Sequence, residues 1–519
     1  MRRLIPFLMV VVCAATVRAN DHISAFQRAA AHSDRIKPDK ALRARYMWRP
    51  PYSLDPKANL KELEIAGRLD NAWRNFLSRE SEIGRIDVLG PDLVAIYLDE
   101  YTWTPELWEK MLPVEPWFHE RVLAEKGKPV VVVGLVVDKV WVDRGNFIQI
   151  PIAELRDGEQ VWEEVGLRTF RRSTVKGPRG LPAQPKKPDS LQAQASWIDA
   201  KSIATLILRT QSQVPLVRAD WFLSQTSQQE KREVGYYDWL GIKTLQDWRD
   251  LSAGDAVKSR KLKQARRFVV RRSTVTRYSR AGEGGNTLTG GVEFLTEDFD
   301  DTVDVKNPLR LLNRDAKRAG GEGLNNLSNG LIGMIVVNAE DKRLDAVPPN
   351  IASDSTSKNP DRQVLAGRCM GCHQGFNEIA DWARNVYVAP FDLESPDPKL
   401  EKELRSAYLS DIKAMIGRGN ALYAASLKGF GFTPVTFSLE FRKRLTEYEE
   451  ADVDFEVLER WTGLTKLRDK FDAEAGRYKK GLVNKRLDPI FAAMLQGIPA
   501  RVEHIEELVS EIYRIGRIP

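Results

Sequence analysis

The chain has 519 residues, of which 42% are hydrophobic and 29% charged, with three Cys and a formal charge of +7. This composition supplies apolar material for more than one sizeable core, and it excludes a disordered chain, a collagen-like repeat and a disulfide scaffold. At ~150 residues per domain the length points to roughly three domains.

Residues 1–20 read MRRLIPFLMVVVCAATVRAN. Arg2 and Arg3 make a positive start, Leu4 to Val17 is apolar, and Val17-Arg18-Ala19 puts small residues where a signal peptidase cuts. The apolar run is shorter than the ~20 residues needed to cross hydrocarbon, so a signal peptide over 1–19 is the expectation rather than an anchor. Its removal takes away three Arg and no acid, leaving a formal charge of +4. The rest of the chain holds no further apolar run of spanning length. We therefore expect an exported protein, periplasmic or extracellular, with no transmembrane segment in the mature chain and no nucleic-acid partner.

Residues 20–175 mix helix and strand signals and read as an N-terminal α+β domain. Leu60 to Leu77 has apolar residues near helical spacing, Leu93 to Leu98 is a short buried-strand run, and Trp103 to Leu112 places its apolar residues on one helical face. Val130 to Val142 and Phe147 to Ile152 read as paired strands joined at Asp143–Asn146. Residues 176–192, rich in Pro, Lys and Gly, read as a linker or surface loop.

Residues 193–350 read as a central, mixed and β-rich domain. Ile198 to Arg209 and Lys243 to Leu251 carry helical patterns; Phe268 to Tyr278, Val292 to Leu295 and Leu331 to Val337 carry strand patterns. The Gly-rich stretches Ala281–Gly291 and Ala319–Gly330 read as loops, since neither has a phosphate loop's Lys-Ser/Thr ending or a clean strand-to-helix setting. Residues 351–519 turn mostly helical, with candidate helices at 361–384, 399–417, 436–449, 455–478, 487–496 and 501–515.

One motif carries chemistry. Cys369-Met370-Gly371-Cys372-His373 is C-x-x-C-H and holds both cysteines that remain after the signal is removed. Two thiols one helical turn apart reach the two vinyl groups of a porphyrin as thioethers, and the following imidazole ligates iron. The pattern points to one covalently attached haem c, with Cys369 and Cys372 as attachment points and His373 as proximal ligand. Other readings fit less well. A structural zinc site lacks a suitably spaced fourth ligand among His22, His32, His119 and His504; a thioredoxin-like pair wants a βαβ setting; a disulfide leaves His373 without a role. Phe376, Ile379, Trp382 and Val386 follow as an apolar strip suited equally to a haem face or to ordinary core.

Met415 in SDIKAMIGRG is the candidate distal ligand, with Met494 and His504 as alternatives and an open sixth position as the competing expectation. Met at helical spacing is also ordinary core filler. The acidic group Glu297, Asp298, Asp300, Asp301 and Asp304 lacks calcium-loop spacing and reads as a solvated loop. Lys258 to Arg280 holds ten Lys or Arg and no acid; it reads as an exposed helix and strand edge, with an acidic redox partner as the alternative. Five His in all argue against a hydrolase triad.

Several segments together resemble an uncharacterised family of exported bacterial proteins with a single C-terminal c-type cytochrome haem domain. They are Leu98–Thr104, Arg218–Phe222, Tyr237–Gly241, Arg272–Val275, Glu293–Phe299, Leu327–Gly333 and Cys369–His373. Glu293–Phe299 keeps mainly the Asp-Phe end of an aromatic-rich family segment, Met334 stands where an aromatic is common, and Lys128–Ser190 has the character of an insertion. The resemblance implies haem binding and electron transfer with a redox partner protein, and no known substrate. The expected architecture is α+β, with mixed N-terminal and central regions followed by a mainly helical cytochrome c-like domain. The expected function is one-electron transfer. A haem-linked oxidoreductase that uses the long N-terminal body for substrate, and a haem-based ligand sensor, are the alternatives.

Overall fold

The computed structural model describes residues 22–112 (apart from 54), Trp117, strands between 120 and 172, and 202–252 with breaks at 204, 213 and 230–233. It also describes 266–270, 279–299 (apart from 288), 318–346, 369–370, 373–376, 412–478 and 488–516. The signal segment and the stretch 176–192 lie outside the described residues. The architecture is α+β: helices pack against largely antiparallel sheets.

The helix Pro56–Phe76 starts where it should on local chemistry. Asp55 accepts the Lys57 N–H at 3.1 Å, and Pro56 occupies a first-turn position where its missing N–H is not needed. Leu63, Ala66, Leu69, Trp73 and Phe76 then recur on one face and are buried. Asp70 pairs with Arg49, and Arg74 reaches the Met47 sulfur at 3.4 Å, so the helix is tied to the strand Ala44–Trp48 and its exit. That strand is antiparallel to Leu93–Tyr97, which pairs in turn with Ile86–Val88. Its other neighbour is Leu216–Arg218, parallel, with Tyr46 opposite Leu216. Segments on either side of the 176–192 stretch therefore complete one sheet.

Lys128–Val133 pairs antiparallel with Ile148–Pro151, as the paired-strand reading expected. Among the described residues this strand spans Lys128–Val133, and Val136–Val137 pairs antiparallel with Val140–Trp141.

The central sheet is an antiparallel meander of Arg266–Val270, Ser279–Asn286, Val292–Phe299, Arg318–Asn326 and Ile332–Asn338. Two of these strands are the Gly-rich stretches expected to be loops. The glycines serve close packing. A Cβ at Gly284 would sit 2.5 Å from the Phe294 ring, and one at Gly323 would sit 2.6 Å from the Trp248 ring and 2.8 Å from Ile335. Bulky neighbours fill the space that a side chain would otherwise take. The same turn is built twice. Thr287 N–H donates to Gly291 O at 3.0 Å and Leu327 N–H to Leu331 O at 2.7 Å, with Gly290 and Gly330 at φ 86° and 82°. The acidic group was read as a solvated loop, but Glu297 and Asp298 lie on a strand and Asp298 is fully buried.

The C-terminal part supplies the helices Lys413–Gly429, Pro434–Glu449, Phe455–Thr462, Leu467–Tyr478, Asp488–Leu495 and Val502–Gly516. Thr433 and Asp454 cap two of them through their side chains. The single helix expected over 455–478 is two, broken where Gly463 and Lys466 take φ 71° and 55°. The helix expected to end at 417 runs to Gly429; Gly417 faces open space and Gly419 is a close-packing position, and the helix continues through both. These helices do not stand apart from the body. Phe437 stacks on Phe76 at 5.0 Å and Phe441 packs at a tilt against Trp73 at 4.9 Å, within one continuous hydrophobic cluster. Among the described residues no helix is long and apolar enough to cross a membrane.

Candidate functional site

The described part of the cysteine motif is one turn of helix. Cys369 and Met370 are helical, and the His373 N–H donates to the Cys369 carbonyl at 2.7 Å. That bond puts His373 one turn after the first thiol. Met370 is buried; Cys369 and His373 are half-buried. Gly371 and Cys372 lie outside the described residues.

The helix expected over 361–384 does not continue through the described residues that follow. Gly375 has φ 131°, a conformation closed to L side chains, and the chain turns there. Phe376 then enters a slot. Its N–H donates to the Asn420 side-chain oxygen at 2.8 Å, and its ring centroid lies 5.8 Å from that of Phe294. Gly419 also adjoins the ring: a Cβ there would meet Val292 at 2.5 Å and the Phe376 ring at 2.8 Å. The segment leaving the motif is thus held between the central sheet and the helix Lys413–Gly429.

Met415 is buried on that helix, four residues before Gly419 and so on the same face. The structure brings this face to Phe376, three residues after His373. Met494 is also buried, on Asp488–Leu495, and His504 is exposed on Val502–Gly516. Of the other residues in the apolar strip, Ile379, Trp382 and Val386 lie outside the described residues.

Two tyrosines belong to the hydrophobic cluster on which the first thiol packs. Tyr236 and Tyr237 begin the short helix Tyr236–Leu240 and are buried with ring centroids 5.3 Å apart. Their hydroxyls accept the Met334 and Val336 N–H groups, both at 3.1 Å. Ile332–Asn338 is an edge strand, so these hydroxyls satisfy outward amides that the sheet leaves unpaired. Burial pushes both phenols well above the ordinary tyrosine range; the amide bonds pull back, and the nearby charge of Cys369 adds to the rise.

Two further constellations were not anticipated. His32 lies between the Tyr46 hydroxyl (3.1 Å) and the Asp87 carboxylate (3.1 Å), while Tyr97 donates to Asp87 and Lys40 stands 3.8 Å away. Burial alone would raise the Asp87 pKa, but Tyr97, Lys40 and His32 together hold it below the ordinary value. The second centres on Arg218, whose guanidinium lies 3.8 Å from the Trp117 ring centroid and 4.5 Å from that of Trp461. It binds Asp220 with two prongs, at 2.9 and 2.6 Å. Trp117 donates to Tyr448 at 3.0 Å, and Tyr448 to Glu506, so the cluster fastens the C-terminal helices to the sheet. Both constellations are internally paired, and we read them as structural. Among the described residues no group of three or more His, Cys, Asp or Glu is gathered as a metal site.

Sequence reasoning missed Gly375, Gly419, Asn420, Phe294 and the hydroxyls of Tyr236 and Tyr237. The pair Tyr237–Asp238 did lie within a resembling segment, but nothing in it marked a neighbour of Cys369. Compared with protein-family models, with curated proteins and with solved structures, the chain matches none.

Proposed function

We propose that this chain is an exported monohaem c-type cytochrome that carries one covalently bound haem c and passes single electrons to a redox partner protein. Residues 1–19 are its signal peptide, 20–175 and 193–350 its mixed body, and 351–519 its haem-bearing region. Cys369 and Cys372 form the thioether links, His373 is the proximal iron ligand, and Met415 is the candidate distal ligand. The observation that carries this reading is the C-x-x-C-H pentapeptide, with the His373 N–H closing a helical turn onto Cys369 at 2.7 Å. The donor set suits the group, since it offers thiols for covalent tethering and an imidazole for iron. When bound, haem c supplies a one-electron iron couple. The chain's own part is to hold the imidazole through the Cys369 turn and to wall the site with Met370, Phe376 and Phe294.

A second reading has its own support. Cys369 packs against the hydrophobic cluster that includes Tyr236 and Tyr237 of the central region, so a haem there adjoins the large body, as a haem-linked oxidoreductase with its substrate site in that body requires.

The test is expression to the periplasm with haem-maturation machinery, followed by haem staining on a denaturing gel. Cys372→Ala should weaken or abolish the stain. An unstained wild-type band, or an undiminished stain in the variant, would refute covalent attachment. A near-infrared sulfur-to-iron band would support Met ligation. A carbon monoxide adduct of the reduced protein would instead favour an open position and the sensor alternative.

A further inference from the structure

The segment that leaves His373 is fixed by one side chain from a helix 44 residues further on. Three observations meet at that point. The Asn420 oxygen accepts the Phe376 N–H at 2.8 Å. Gly375 adopts φ 131°, and a Cβ there would sit 2.5 Å from the same Asn420 oxygen. Gly419, adjacent to Asn420, leaves room for the Phe376 ring, which is fully buried. Asn420, Gly375 and Gly419 therefore form a clamp in which no larger residue fits at either glycine without movement.

An imidazole that ligates iron must keep its ring in one orientation, and the placement of the backbone on either side of it is one of the restraints that set that orientation. For His373 the entry is the helical turn from Cys369, and the exit is the clamp, three residues later. The helix that carries the clamp also carries Met415, five residues before Asn420. One rigid element thus holds the proximal segment and the candidate distal side chain together.

We infer that Asn420 is a positioning residue for His373, and that its bond to the Phe376 amide keeps the imidazole on iron. This rests on the haem reading above. A neutral hydrogen bond contributes about 0.5–1.5 kcal/mol, a factor of roughly 2–10 in an equilibrium. The atom that matters is an acceptor oxygen, so Asp at 420 preserves the contact and Ala removes it.

The experiment uses the full chain with Asn420→Ala, Asn420→Asp and Gly375→Ala, and two readouts. The first is hydrogen exchange at the Phe376 amide, which needs no haem. The second is the acid midpoint of the change from low-spin to high-spin iron, where protonation displaces the imidazole. Asn420→Ala should speed exchange at Phe376 about 2–10-fold and raise the acid midpoint by about 0.3–1 pH unit, with haem staining unchanged. Asn420→Asp should track the parent in both. Gly375→Ala should shift both in the same direction as Asn420→Ala, because the added methyl group pushes against the Asn420 oxygen. Unchanged Phe376 exchange in Asn420→Ala would overturn the clamp. Faster exchange with an unmoved acid midpoint would overturn its role for His373. A parent that carries no haem overturns the reading beneath this inference, and the exchange measurement still decides whether the clamp exists.

Discussion

Two glycines on one helix are predicted to respond in opposite directions to the same substitution. Gly417 and Gly419 both lie within Lys413–Gly429, where replacing Gly by Ala ordinarily gains about 0.5–1 kcal/mol by restricting the unfolded chain. At Gly417, which is exposed, a new Cβ meets nothing within 4 Å, so the full gain should appear. At Gly419 the Cβ would lie 2.5 Å from Val292 and 2.8 Å from the Phe376 ring. Neither neighbour gives way easily. Val292 is β-branched and sits on a sheet strand, and Phe376 has Phe294 behind it at 5.8 Å. Overpacking of this kind costs about 1–3 kcal/mol, which outweighs the propensity gain and leaves Gly419→Ala about 1–2 kcal/mol less stable than the parent. The two variants should therefore differ by roughly 2 kcal/mol in urea unfolding. Equal midpoints, or a stabilised Gly419→Ala, would show that Phe376 does not pack on this helix.

Arg218→Met should cost about 3 kcal/mol, because it removes a buried guanidinium and strips the half-buried Asp220 of its two-pronged partner, whereas Arg218→Met with Asp220→Asn should recover part of the loss. Denaturant midpoints decide this, and a double variant no better than the single would sink it. For Asp87 the folded pKa is depressed, so its stabilising contribution is complete above the ordinary aspartate value of ~3.9 and is lost as pH falls through the lowered one. The gap in melting temperature between wild type and Asp87→Asn should accordingly be widest near neutrality and shrink as pH falls through that window. A gap that stays constant down to about pH 2 would contradict the assignment of the Asp87 contacts.

What was legible in the sequence followed local chemistry. Pro56–Phe76 and Pro434–Glu449 carry both a capping side chain and an apolar repeat, and each begins where those signals stand. Ser279–Asn286 and Arg318–Asn326 have neither, because glycine leaves no alternation to read; they are strands on account of Phe294 and Trp248 lying over them. The helix past Gly417 and Gly419 was misjudged for a related reason. A glycine read alone resembles a stop, while Gly419 in context is an opening for Phe376. The cysteine motif could be found because its chemistry lies within five consecutive residues. Asn420 and Tyr236 could not, since each meets the motif's neighbourhood only through the tertiary fold.

The large body before the motif has a role that its length alone does not suggest. More than 300 residues look excessive for an electron shuttle, which is the argument for a substrate domain. Yet the C-terminal helices rest on that body. Phe437 and Phe441 lie on Phe76 and Trp73, Tyr423 meets Phe76 at 6.2 Å, and Phe376 meets Phe294. At ~1.5–3 kcal/mol for each large apolar side chain, these four place roughly 6–12 kcal/mol of burial at the junction. That is comparable to the whole stability of an ordinary domain, about 5–15 kcal/mol. A fragment beginning near residue 351 would expose all four, so its failure to fold would say nothing about where a substrate binds. The body is, at the least, the floor on which the motif's surroundings are built. Separating a substrate role from that structural one calls for point substitutions within the body that leave the junction intact.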